Sequence, residues 1–198
     1  MSTPLRIGII IGSTRPGRVG DQVAHWVHEH ASRLGSAEYE VVDLNDFALP
    51  LLDEAVPASA GHYEHEHTRA WAEKIDGYDG FVFVTSEYNH APSPALLNAI
   101  SFIYREWNDK AAALVSYGAL SSGIRAADKL RSTLGELQIA DVRTQLAFSF
   151  FHDFENFSAF TPGERHLATL QALVDQLESW AGALRGVRIA KLDAAAAA

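Results

Sequence analysis

The chain has 198 residues, room for one ordinary domain and little more, and at that length folding buries roughly 70% of the surface the unfolded chain exposes. A composition 47% apolar and 21% charged is that of a globular protein and excludes disordered, collagen-like and coiled-coil chains. The 25 acidic residues outnumber 16 basic ones, for a net charge of −9 that disfavours general nucleic-acid binding, and the lack of any cysteine removes disulfides, thiolate metal sites and cysteine nucleophiles.

Residues 1–6 lack the charged, apolar and cleavage regions of a signal peptide, and no apolar run approaches the ~20 residues of a membrane span. A cytoplasmic protein without membrane contact is the expectation. Residues 5–11 are brief and β-branched, as in a strand buried on both faces. Over residues 17–34, Val19, Val23, Trp26, Val27 and Leu34 recur at helical spacing. Residues 40–44 predict a second strand, and 49–61, with Pro50, Pro57 and Gly61, a loop. A helix over 67–77, a strand over 81–84 and a helix over 94–107 follow. Then come a strand over 111–117, a helix over 122–137, a strand over 142–150 and a closing helix over 162–184. Residues 1–190 form the expected single domain. Residues 191–198 end in five alanines, have the look of an appended scar, and are set outside the fold.

Five strands alternating with five helices imply right-handed βαβ crossovers and a parallel sheet covered on both faces. The flavodoxin-like order 2-1-3-4-5 and a Rossmann half both satisfy this pattern. Either places ligands beyond the carboxyl ends of the strands.

Three strand-end loops therefore hold the candidate residues. The first runs Gly12-Ser13-Thr14-Arg15-Pro16-Gly17-Arg18-Val19-Gly20. Its glycines permit a tight turn, its hydroxyls and arginines offer donors and charge, and the next helix presents a positive N-terminus, so an anionic phosphate is the expected ligand. Arg18-Val19 stands where a Walker A loop needs Lys-Ser/Thr, and no G-x-G-x-x-G occurs. The second loop is Thr85-Ser86-Glu87-Tyr88-Asn89-His90-Ala91-Pro92-Ser93-Pro94, polar, aromatic and proline-stiffened, with Ser93 as a candidate cap. The third is Tyr117-Gly118-Ala119-Leu120-Ser121-Ser122-Gly123, small enough for close ligand approach and equally suited to a plain turn. His62, His65 and His67 do not have H-E-x-x-H spacing and read as polar residues leading into a helix; no metal is expected. No G-x-S-x-G elbow supports Ser–His–Asp hydrolysis.

Assembled, these loops resemble the NADPH-dependent FMN reductase family of flavodoxin-like flavoproteins, across nearly all of residues 5–150. Gly12-Ser13-Thr14-Arg15 resembles the family's G-S-x-R loop. Glu87-Tyr88-Asn89-His90 with Leu96, Asn98 and Ala99 resembles P-E-Y-N followed by L-K-N-A, and Ser122-Gly123-Ile124-Arg125-Ala126 resembles S/G-G-x-R-A. Ser86 stands where proline is usual, Ser93-Pro94 replaces Pro-Gly, and Leu97 replaces lysine. The resemblance implies a three-layer α/β sandwich with sheet order 2-1-3-4-5, FMN as cofactor and NADPH or NADH as donor. The second acceptor would be a free flavin, quinone, azo compound or metal oxyanion. It implies that Ser13, Arg15 and the amides of Arg18, Val19 and Gly20 hold the FMN phosphate. Glu87, Tyr88, Asn89 and His90 would meet one edge of the isoalloxazine, and Tyr117, Gly118, Ser121, Ser122 and Gly123 its other side. The chemistry would be FMN's own, without a catalytic side chain. The alternative is a flavodoxin-type carrier reduced by a partner protein. A homodimer or dimer of dimers is the family habit, and the apolar excess on the 94–107 helix suggests a subunit contact there.

Overall fold

The computed structural model describes residues 3–197. Its strands are β1 (Arg6–Ile11), β2 (Glu38–Asp43), β3 (Gly80–Ser86), β4 (Lys110–Gly118) and β5 (Ile139–Ser149). They are all parallel, in the order β2-β1-β3-β4-β5. The five helices are α1 (Gly20–Leu34), α2 (Glu66–Asp76), α3 (Pro94–Ser101), α4 (Ile124–Glu136) and α5 (Leu167–Ala196). This is the flavodoxin-like arrangement, not the Rossmann half.

Period-two alternation within buried strands divides the core into two layers. Ile7, Ile9, Val82, Val84, Ala113 and Val115 face α1 and α5 through Val23, Val27, Leu173 and Leu177. Ile10, Phe81, Phe83 and Leu114 face α2, α3 and α4 through Trp71, Ile75, Leu96, Ile100, Leu130 and Leu134. With helices on both faces, the strand ends are left open for a ligand.

The structure corrects the 94–107 helix. Two buried indoles meet its early end: Trp71 Nε1 donates to Ala99 O at 2.9 Å and Trp107 Nε1 to Ile100 O at 3.2 Å. Those carbonyls lie in the last turn, where α3 has no backbone N–H to offer them. Past Ser101 the chain turns into the core, and Phe102, Ile103 and Trp107 are 0% exposed. The apolar excess is therefore core, and it no longer argues for a subunit contact. Helix α5 runs on past the 162–184 span expected of it, through residues 191–196, with Lys191 bonded to Asp109.

A small antiparallel hairpin, β6 (Phe154–Glu155) with β7 (Ala159–Phe160), was not legible beforehand. Gln22 of α1 fastens it at both ends of its amide, giving 2.8 Å to Ser158 O and receiving 2.9 Å from Phe160 N. Asp153, buried at its base, accepts from Ser149 N at 2.8 Å and pairs with Arg165 and His166. The hairpin thus anchors Phe150 beside the end of β4, where Phe150 N donates to Gly118 O at 2.9 Å.

Candidate functional site

The carboxyl ends of β1, β3 and β4 bound a cleft of about 330 Å³. Ser13, Arg15, Arg18, Val19, Glu87, Tyr88, His90, Tyr117, Gly118 and Ser121 line it, all of them expected from the sequence. Ser86, Ala119, Leu120, Arg125 and Phe150 also line it and were not on that roster. Gly20, Asn89, Ser122 and Gly123 shape the backbone around the cleft rather than lining it. Arg125 had a signal, since it belongs to the S-G-x-R-A stretch. Phe150 had none, because the hairpin that places it is tertiary.

At the β1 end, Gly12 N donates to Val84 O at 2.9 Å and Ser93 Oγ donates to Gly12 O, tying the first loop to the second. The two arginines of the loop have different fates. Arg18 is turned inward: Nη1 donates to Ser13 O at 2.9 Å and Nη2 pairs with Asp43 of β2. Its amide closes a turn onto Arg15 O at 3.1 Å, so Arg18 braces the loop and its N–H is not free for an anion. Arg15 is exposed and lines the cleft with its side chain in no ion pair among the described residues.

The N-terminus of α1 carries no side-chain cap at Val19, which leaves the first-turn N–H groups available to a ligand. Gly20 is required here: a Cβ would lie 2.5 Å from Tyr117 Oη and 3.2 Å from its Cζ. Tyr117 is 3% exposed, and burial raises its phenol pKa, keeping the hydroxyl a neutral donor beneath the loop. Helix start and buried phenol are thus in close contact at the floor.

The second loop is a two-residue turn. Tyr88 N donates to Ala91 O and Ala91 N to Tyr88 O, both at 2.9 Å, with Asn89 at φ 52° and His90 at φ 62°. Two consecutive left-handed residues are the signature of a type I′ turn, which non-glycine residues enter at a cost. The third loop repeats the device with Ser122 at φ 52° and Gly123 at φ 78°, closed by Ile124 N donating to Ser121 O at 2.9 Å. Side chains join the two turns: Ser121 Oγ donates to Glu87 Oε2 at 2.6 Å, Arg125 Nη1 lies 3.6 Å from Glu87 Oε1, and Arg125 Nη1 donates to His90 Nε2 at 2.9 Å.

The rest of the candidate inventory lies elsewhere. His65 and His67 stack at 5.2 Å, and His67 Nε2 sits 3.0 Å from Asp53 Oδ1, before and within the start of α2.

Comparison with known proteins bears on this cleft. A family model described as NADPH-dependent FMN reductase matches residues 5–153, and a Schizosaccharomyces pombe NAD(P)H-dependent FMN reductase is 39% identical over 75% of this chain and 74% of its own. The chain belongs to the NADPH-dependent FMN reductase family. It is an oxidoreductase with FMN as cofactor and NAD(P)H as electron donor. A Saccharomyces cerevisiae enzyme of the same description is 38% identical over 68% of this chain and 76% of its own. A Pseudomonas putida quinone reductase is 29% identical over 94% of this chain and all of its own. Among solved structures, a flavoenzyme NAD(P)H:(acceptor) oxidoreductase from Paracoccus denitrificans superposes with a TM-score of 0.69 over 90% of this chain and 97% of its own. At 19% identity it supports the fold alone.

The cleft fits this family's cofactor. The uncapped helix start and Arg15, in no ion pair among the described residues, suit a phosphate. Ser86 Oγ, buried without a hydrogen-bond partner, is an orphaned polar atom that a ligand can satisfy.

Proposed function

We propose that this cleft is where the FMN reductase carries out its reaction, and that the second acceptor is a quinone or a free flavin. Convergence of all three motif-bearing loops on one cleft carries the proposal. The acceptor is argued from the quinone reductase and FMN reductase names of the relatives.

Ser13, Arg15 and the amides of Val19 and Gly20 would hold the FMN phosphate. The turn Glu87–His90 and the segment from Tyr117 to Gly123 would position the ring from opposite sides. FMN held there would supply the redox chemistry, acceptance of a hydride from reduced nicotinamide and delivery of electrons to the acceptor. The protein's contribution is placement, because hydride transfer needs reacting atoms at roughly 3–3.5 Å, and no side-chain nucleophile is required.

His90 reaches the cleft through a side chain bonded to Arg125, whereas the turn is closed by main-chain bonds. His90→Ala is therefore expected to keep FMN affinity within about threefold while altering turnover. A tenfold rise in the FMN dissociation constant in a fluorescence titration would instead make the imidazole a flavin ligand.

The decisive experiment mixes the FMN-loaded protein anaerobically with NADPH and, separately, NADH in a stopped-flow instrument. Loss of the oxidised-flavin band within seconds is the expected result, since the rim is open at Leu120, 91% exposed, and no tryptophan lines the cleft. An unbleached spectrum with both donors, at full FMN occupancy, would make the protein an electron carrier reduced by a partner.

A further inference from the structure

We propose that Arg125 receives a phosphate group of the incoming nicotinamide dinucleotide, with His90 holding its guanidinium in place. The inference rests on the FMN-dependent reading of the cleft and goes beyond it to the second ligand.

Two phosphate-bearing ligands have to enter one cleft in a chain of net charge −9. Three arginines line it. Arg18 is neutralised by Asp43, and Arg15 lies on the loop assigned to the FMN phosphate. Arg125 remains, on the far rim, contributed by α4 rather than by the phosphate loop.

Helix stability does not account for a cation there. Arg125 is the second residue of α4, whose first turn holds no acidic residue and whose N-terminal Gly123 makes no side-chain cap. A positive charge in a first turn opposes the helix dipole. Nor does its ion pair account for it: the 3.6 Å contact with Glu87 is loose, Glu87's other oxygen is already bonded to Ser121, and the Arg125 side chain is half exposed. What fixes the guanidinium is the 2.9 Å bond from Nη1 to His90 Nε2, which leaves its other N–H groups without a hydrogen-bond partner among the described residues. Imidazole accepting that bond holds a planar cation at the mouth, and a planar guanidinium matches phosphate oxygens two at a time.

The phosphate has two sources within the donor, the pyrophosphate common to NADH and NADPH and the 2′-phosphate of NADPH alone. Steady-state kinetics of the FMN-loaded wild type, Arg125→Gln and Arg125→Lys with both donors separate them. Inhibition by adenosine 2′,5′-bisphosphate and by 5′-AMP, and an FMN titration, complete the set. Arg125→Gln is expected to raise the donor KM about tenfold, with kcat within twofold and FMN affinity unchanged, and Arg125→Lys to restore much of the loss. A rise with both donors assigns Arg125 to the pyrophosphate. A rise with NADPH only, with weaker inhibition by the bisphosphate alone, assigns it to the 2′-phosphate. An unchanged KM for both donors overturns the inference, as does a parallel fall of kcat and FMN affinity, which would make Arg125 only a staple for the His90 turn. Failure of the wild type to oxidise either donor would instead sink the reductase reading, and this inference with it.

Discussion

Arg15→Ala is expected to weaken FMN binding by roughly 10- to 150-fold while leaving the protein folded. The range follows from a charge-assisted hydrogen bond worth about 1.5–3 kcal/mol, each 1.4 kcal/mol being tenfold in affinity. Exposure of Arg15 places the result toward the lower part of that range, because solvent screens the pair. Stability should hardly change, since the side chain forms no ion pair among the described residues and the loop's internal braces lie elsewhere. Those braces are the Arg18 guanidinium, bonded to Asp43 and Ser13 O, and the turn from Arg15 O to Arg18 N. Arg18→Ala accordingly gives a different signature, a looser loop and a lower melting temperature together with weaker binding. Riboflavin, which lacks the phosphate, supplies the control and should bind wild type and Arg15→Ala alike. Equal FMN affinity in both proteins would move the phosphate away from this loop.

Arg15 and Arg18 also show how far the sequence carries. Both were legible as cations beside a strand end, because β1 is a short β-branched run closed by glycine. Which of them turns inward was not legible: Arg18 meets Asp43 on a strand 25 residues away, and pairing across a sheet leaves no local trace. The 94–107 helix failed for a related reason. Helical spacing continues past Ser101, but Trp71 and Trp107 take the carbonyls of Ala99 and Ile100, and burial of Phe102 and Ile103 in the core overrides the local period. The left-handed turns show the opposite limit. Gly123 advertises its conformation, whereas Asn89, His90 and Ser122 adopt positive φ without glycine. Local backbone bonds close each turn, Ala91 N to Tyr88 O and Ile124 N to Ser121 O, and the side-chain contacts that join the two turns, Ser121 to Glu87 and Arg125 to His90, arise only when the loops meet.

Gly123→Ala is expected to be the most damaging single methyl in the site. Gly123 sits at φ 78°, ψ 8°, where an L-residue costs roughly 1–2 kcal/mol. Space is lacking as well: the added Cβ would stand 2.8 Å from Tyr117 N and Ser116 Cβ and 2.9 Å from Tyr117 O. Two of these atoms are backbone of the central strand β4, which cannot yield as a flexible side chain would, and overpacking of this kind costs about 1–3 kcal/mol. The sum, about 2–5 kcal/mol, lowers the melting temperature by roughly 4–20 °C for a chain of this size. The turn would relieve the clash by opening, breaking the 2.9 Å bond from Ser116 Oγ to Ser122 O and carrying Ser121 away from Glu87. FMN affinity should therefore fall along with stability. Gly135, near the end of the same helix, is the internal control. Its added Cβ meets nothing within 4 Å and its φ is not positive, so Gly135→Ala should stabilise by about 0.5–1 kcal/mol through the unfolded chain. Thermal melts of the two variants with and without FMN decide the matter: Gly135→Ala should rise slightly and Gly123→Ala fall steeply, with a smaller FMN-induced shift. Melting of Gly123→Ala at the wild-type temperature would mean that the third loop is free to relax and does not set the shape of the cleft.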